Sequence, residues 1–205
     1  MGQLAPRTWF ELASAGALAV LGSIPDDDWD KPGLGDWTVR ELAAHTMRAW
    51  STVVDYLDEP LPVGDLLEAS TYFVKALAQP GVHEGVLERA RTEAQELENP
   101  VTYARARAAA ALGRVAEEPD DRLVPSRFGP LALSEYLKTR AFELTVHGLD
   151  LARATGVRVP EELATSVSPA AEVAVQIASV RRDDRAVLLA LTGREPLPDH
   201  FSVLG

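Results

Sequence analysis

Thr139-Arg-Ala-Phe-Glu-Leu-Thr-Val-His-Gly-Leu-Asp-Leu-Ala-Arg-Ala-Thr-Gly156 carries two patterns at once. Together with Leu137 just before it, Ala141, Leu144, Gly148 and Leu151 recur at the period of a helix with one apolar face. Arg140, Glu143, His147 and Asp150 fall on a narrow arc that borders this face instead of opposing it. That arrangement suits a polar pocket opening at the edge of a helix bundle. Glu143 and His147 stand four residues apart, so both side chains leave one side of the helix. A carboxylate and an imidazole at that spacing can share a divalent metal, each about 2.0–2.2 Å away if the metal is zinc. The plainer reading of the same spacing is a favourable surface pair with no metal. Ser134 is the expected cap of this long helix and Gly156 its stop.

Upstream, Trp37-Thr-Val-Arg-Glu-Leu42 is the clearest boundary in the chain. Thr38 and Glu41 have the spacing of a capping box, with Trp37 and Leu42 on either side as a hydrophobic staple. The spacing predicts a helix from there to about Leu57, with Leu42, Ala49, Val53 and Leu57 facing inward. An earlier helix is expected from Pro6 to Ser23, after which Pro25 to Asp36 is a connection. Further helices are expected over Asp65–Ala78, from Pro80-Gly81 to about Leu97, and from the Asn99-Pro100 start to Ala116. Three prolines mark Glu117 to Ala132 as a loop, with Leu123 to Phe128 as a short extended piece. Pro160 opens the C-terminal part, Pro169 interrupts it, and Asp184 to Leu191 is a short last helix closed by Gly193. One all-α domain over residues 1–205 follows.

Composition narrows the function. The 205 residues are 46% hydrophobic but only 6% aromatic, enough for one core and in favour of helix packing. A net charge of −11 repels phosphate backbones and anionic lipid heads, so neither nucleic acid nor a membrane is an expected partner. The run Leu12 to Ile24 has helical periodicity and an acidic edge at Glu11, unlike a signal peptide, and the chain reads as cytoplasmic. There is no cysteine, hence no disulfide, no thiolate ligand and no cysteine nucleophile. Any thiol chemistry must import its thiol.

Glu143 and His147 need a third ligand, and the other histidines are His45, His83 and His200. His45 lies three residues after Leu42 and four before Ala49, on or beside the buried stripe of its helix. A lone histidine there is usually a hydrogen-bonded core residue. His83 at a helix start and His200 in a proline-rich tail are expected to be exposed.

Three motifs add a resemblance. Trp37-Thr-Val-Arg-Glu-Leu-Ala-Ala-His45 resembles the start of the second helix in the DinB-like superfamily, where that helix carries a metal-binding histidine. Arg140-Ala-Phe-Glu-Leu-Thr-Val-His-Gly-Leu-Asp-Leu-Ala152 resembles the fourth-helix motif of the mycothiol-dependent maleylpyruvate isomerase branch. Leu188-Leu-Ala-Leu-Thr-Gly-Arg194, followed by Phe201-Ser-Val-Leu204, is similar to the end of that branch's metal-binding domain. The resemblance implies a four-helix bundle with a long crossover, plus extra short C-terminal helices. It also implies a metal triad of His45, Glu143 and His147, the trio that spacing and burial nominate.

Two imidazoles and a carboxylate leave one position open on a four-coordinate metal, the pattern of catalytic zinc. Nickel and iron(II) accept the same donors. The resemblance implies mycothiol as co-substrate, ionised at the metal, and a thiol transfer to a small electrophile. Asp150 would orient a ligand by accepting its hydrogen bond, and Arg140 would bind substrate. A metal-assisted hydrolase and a non-catalytic metal-binding or stress-response module are the alternatives. The resembling enzyme carries a second domain where this sequence ends, so isomerisation of maleylpyruvate itself is not expected. Substrate and oligomeric state are not legible.

Overall fold

The computed structural model describes residues 4–60 and 63–204, apart from the side chain of His83. Within them the chain forms α1 (Pro6–Leu21), α2 (Val39–Asp58), α3 (Ala69–Leu77), α4 (Val82–Gln95) and α5 (Pro100–Ala116). A hairpin of β1 (Leu123–Ser126) and β2 (Gly129–Ala132) follows, then α6 (Leu133–Thr155), α7 (Glu161–Arg181) and α8 (Asp184–Leu191). The fold is all-α, a four-helix bundle of α1, α2, α5 and α6. Residues 59–99, with α3 and α4, make the long crossover from α2 to α5.

Both α1 and α2 run along α5 and α6, so they occupy opposite corners of the bundle. Across that diagonal the Trp50 indole N–H donates to the Ser14 hydroxyl at 2.9 Å, inside the core. Phe10, Ala17 and Leu21 from α1, Leu42, Ala49, Val53 and Leu57 from α2, and Leu137, Leu144 and Leu151 from α6 are buried. Each set has the spacing read from the sequence, because burial of one helical stripe is what stabilises each helix against its conformational entropy. Where α7 crosses α1 and α6, Leu163 presses on Gly16 and Gly148. A Cβ at Gly16 would come within 2.7 Å of the Leu163 backbone nitrogen, so glycine is what lets the helices approach.

Three local signals are realised. Thr38 caps α2: its hydroxyl accepts from the Glu41 N–H at 3.2 Å, and the Glu41 carboxylate accepts from the Thr38 N–H at 2.8 Å. Asn99 caps α5 by accepting from the Thr102 N–H at 2.9 Å. Gly156 ends α6 at φ 69°.

Four boundaries differ, each for a tertiary reason. Ser134 lies inside α6 and does not cap it; the N-cap is Ala132. The first α6 amides bond to the loop before the hairpin, Leu133 N–H to the Arg122 carbonyl and Ser134 N–H to that of Asp120. The extended piece at Leu123 has a partner strand, with Val124 opposite Leu131 in antiparallel register. Helix α3 begins at Ala69 and not Asp65, since Leu67 N–H bonds to the Pro130 carbonyl and Ala69 N–H to the Glu135 carboxylate. Finally, α7 runs through Pro169 as one 21-residue helix. Burial of Leu163, Ser166, Ala170, Val173 and Ile177 offsets the lost backbone bond. By length and composition alone α7 could cross a membrane, but this same stripe is the side it packs against α1, α3 and α6.

Candidate metal centre

His45 leaves α2 two turns beyond the Thr38 cap, and Glu143 and His147 leave α6 one turn apart. The packing of α2 on α6 brings all three together. His45 Nε2 lies 3.7 Å and His147 Nε2 3.1 Å from the same Glu143 oxygen. One nitrogen or oxygen from each residue falls within 4.8 Å of the other two. The two imidazole rings meet edge to face at 4.8 Å. Their side chains are 17% and 13% exposed and that of Glu143 22%, so the cluster is mostly enclosed but remains in contact with solvent.

Around it stand two further residues. Asp150 Oδ2 is 3.2 Å from His147 Nδ1, so the carboxylate accepts from that nitrogen and turns Nε2 toward Glu143. The Trp37 ring meets His45 edge-on at 4.9 Å. Its staple position before the α2 cap was legible in the sequence; its contact with a site residue was not. His200 is exposed, and the His83 side chain lies outside the described residues.

Burial disfavours every charged form here. For His147 it is outweighed by hydrogen bonds to Asp150 and Glu143, which push the imidazole up to about 9. For Glu143 burial acts upward, but hydrogen bonds with His147 and His45 hold the carboxyl well below its usual range. For His45 burial prevails over the Glu143 contact and the pKa is lowered. Near neutral pH the metal-free cluster is thus an imidazolium between two carboxylates, beside a neutral imidazole.

The donor set fits a divalent ion. The two separations from Glu143, 3.1 and 3.7 Å, bracket the edge of a tetrahedron with bonds of about 2.0–2.1 Å, which is roughly 3.4 Å, while the third lies within 4.8 Å. Neutral His45 offers a lone pair, and ionised Glu143 offers charge. Asp150 supplies the outer carboxylate that usually orients a ligating imidazole. His45 Nδ1, by contrast, is buried without a hydrogen-bond partner among the described residues, so that ring is oriented by its Nε2 contact with Glu143 and by the Trp37 and His147 rings. A cavity of about 390 Å³ lined by Arg48, Glu93, Tyr103 and Arg107 lies elsewhere and includes none of the three.

Arg140 departs from its expected place on an open polar strip. It is buried, its Nε donating to the Thr139 hydroxyl at 3.0 Å and its guanidinium lying over the Tyr136 and Tyr72 rings at 5.0 and 5.6 Å. Tyr136 is four residues before it on the same helix and was findable by spacing. Tyr72 comes from the crossover and was not.

With this geometry established, known proteins supply a context. Residues 10–152 match the family model described as the mycothiol maleylpyruvate isomerase N-terminal domain, and His45, Arg140, Glu143, His147 and Asp150 all fall inside the match. No curated protein matches the chain in sequence. Among solved structures, the crystal structure of the mycothiol-dependent maleylpyruvate isomerase is similar to it at 18% identity and a TM-score of 0.48. The likeness covers 80% of this chain and 66% of that one, so the chain spans just under two thirds of that enzyme's length.

Proposed function

The chain belongs to the mycothiol maleylpyruvate isomerase N-terminal domain family, and on that premise we propose that it is a metal- and thiol-dependent enzyme acting on small electrophiles. His45, Glu143 and His147 hold one divalent ion, zinc first, with nickel and iron(II) suited to the same donors. The observation that supports this most is the convergence of three ligand atoms from two helices within 4.8 Å. An ion held there supplies a Lewis-acid centre with a position open to an outside group, which favours the ionised form of a thiol beside it.

The rest is the work of the chain. Asp150 keeps the proton on His147 Nδ1, so Nε2 presents its lone pair once the second proton has left. Glu143 remains ionised under its two imidazole neighbours and contributes negative charge without needing a base to remove its proton. The packing of α2 against α6 fixes the separation of the donors, and the Trp37 ring closes the side next to His45. No cysteine competes for the site, so the attacking sulfur comes from a co-substrate, which the family makes mycothiol. In the transfer, the sulfur bonds to the electrophilic carbon and the thiol proton ends on the adduct. No oxidant or reductant is consumed.

The test is turnover of metal-loaded protein with mycothiol and a panel of small electrophiles, maleylpyruvate included. Turnover is expected to require both metal and thiol, and to fall by about 100-fold or more in His147→Ala, as for an essential ligand. Turnover indifferent to added thiol would contradict the proposal and make the protein a metal-assisted hydrolase instead.

A further inference from the structure

Arg140 is a charge inside the protein with too few partners. A guanidinium has five N–H donors. Here Nε spends one on the Thr139 hydroxyl at 3.0 Å, and Nη2 reaches the Tyr72 hydroxyl at a long 3.4 Å. Among the described residues Nη1 makes no hydrogen bond, and Glu143, one turn further along α6, acts on the guanidinium through space alone. Burying a cation with no anion against it is costly. The Tyr136 and Tyr72 ring faces offset part of that cost. Tyr136 lies beside it, its buried hydroxyl making no hydrogen bond of normal geometry among the described residues; the neighbouring Thr52 hydroxyl gives its proton to the Arg48 carbonyl and keeps lone pairs for a weak contact with the phenol. Unused donors on a buried arginine, with the Tyr72 hydroxyl only loosely engaged and the Tyr136 hydroxyl weakly held, define a place for an acceptor-rich anion.

The position says which anion. Helical rise sets the Arg140 Cα about 4.5 Å along the axis from that of Glu143 and about 10 Å from that of His147. An anion there would be a few bonds from a group reacting at the metal centre. With Nε committed, the Nη1–Nη2 end is the edge left for a carboxylate, the planar partner a guanidinium recognises best. Arg48, the cation on the His45 helix, is ion-paired with Glu93 and so is not free to hold a second carboxylate.

We propose that Arg140, the Tyr72 hydroxyl and Tyr136 form a subsite for one carboxylate of the electrophile, so that the preferred substrates are short monocarboxylates and not neutral or dianionic compounds. The assignment of this anion to the electrophile rests on the metal-centre reading above; the subsite itself rests on Arg140.

The test titrates propionate and its uncharged isostere propionamide against metal-free and zinc-loaded protein. The readout is the Arg140 Nε–H resonance, identified by its loss in Arg140→Gln. Propionate is expected to shift that resonance with and without zinc, and to bind about tenfold tighter than propionamide. Tyr136→Phe, which keeps the ring and removes one hydroxyl, should weaken propionate several-fold with zinc content unchanged, and it keeps the test decisive if Arg140→Gln does not fold. No shift in either form overturns the proposal. So does propionate binding, read in the variant by titration calorimetry, that needs zinc and survives in Arg140→Gln, since the carboxylate has then gone to the metal. A parallel assay separates this from the thiol reading. If mycothiol turnover is absent while Arg140-dependent propionate binding persists, the thiol reading falls and the subsite stands. If turnover occurs but the acrylate-over-acrylamide ratio in kcat/KM is the same in wild type and Tyr136→Phe, the subsite falls and the thiol reading stands.

Discussion

Along α2 and α6 almost every turn is anchored from more than one side: eleven residues of α2 and twelve of α6 are buried, and α2 also carries a two-way cap. Helix α8 has no buried residue, packs on α7, and leaves Leu188 and Leu191 exposed. The three candidate ligands, with Arg140 and Asp150, sit on the first pair, and the family match at residues 10–152 ends before α7 begins. A metal centre needs its donors held to within a few tenths of an ångström, which a helix gripped by neighbours can do and a helix leaning on one neighbour cannot. The C-terminal helices matter here through Leu163 of α7, which wedges against Gly16 and Gly148, the latter next to His147.

The sharpest contrast between the two regions is metal retention. Glu143→Ala and His147→Ala should each weaken zinc by more than the about 10–100-fold that losing an outer partner such as Asp150 costs. The double change Leu188→Ser, Leu191→Ser in α8 should leave zinc content unaltered. Competition with a chelating dye reads both, and loss of zinc from the α8 variant would mean that the tail supports the site.

Protonation should separate the two regions next. Metal entry must displace the His147 proton, whose pKa stands at about 9, so affinity should rise about tenfold per pH unit up to there and then level off. In metal-free protein the sign reverses. The His147 imidazolium stabilises the fold fully below pH 6.5, and that contribution is lost as pH rises through about 9. Glu143 contributes stability that is present above the ordinary carboxylate range and lost on strong acidification. Urea unfolding of metal-free protein at pH 6.5 and 9.5 should show the weaker fold at the higher pH, and Leu188→Ser, Leu191→Ser should leave that difference intact.

Gly16→Ala puts a methyl against the Leu163 backbone and should cost about 3 kcal/mol, the upper end for overpacking. Gly148→Ala meets Leu163 methyl groups at 3.1 Å, which can turn aside, and should cost about 1 kcal/mol. Equal costs would mean that α7 is not wedged on α1 as described. Thr38→Ala should cost about 1 kcal/mol by urea unfolding, with zinc still bound, because packing retains α2 after its cap is gone.

These contrasts follow the division between what was legible in the sequence and what was not. Thr38 with Glu41, Asn99 with Pro100, and Gly156 act within four residues of themselves, and each helix end stands where the sequence put it. Ser134 had the chemistry of a cap, but the chain around Asp120 and Arg122 supplied the acceptors first. Pro169 had the chemistry of a breaker, but a buried stripe on both sides of it carried the helix through. The same division runs through the site. Glu143, His147 and Asp150 share one helix, so their proximity follows from spacing. The tyrosine cage of Arg140 draws on residue 72 across the crossover, a contact that no periodicity within α6 encodes.

His45 is where the account is most exposed, since it alone joins α2 to the α6 pair, and through a nitrogen 3.7 Å from Glu143. The direct measurement is zinc stoichiometry after equilibrium dialysis of wild type, His45→Ala, His83→Ala and His200→Ala, with helical circular dichroism recorded for each. One zinc per chain is expected in wild type, His83→Ala and His200→Ala, and almost none in His45→Ala, with helix content equal throughout. Full zinc occupancy in a folded His45→Ala protein would contradict the triad and the function built on it.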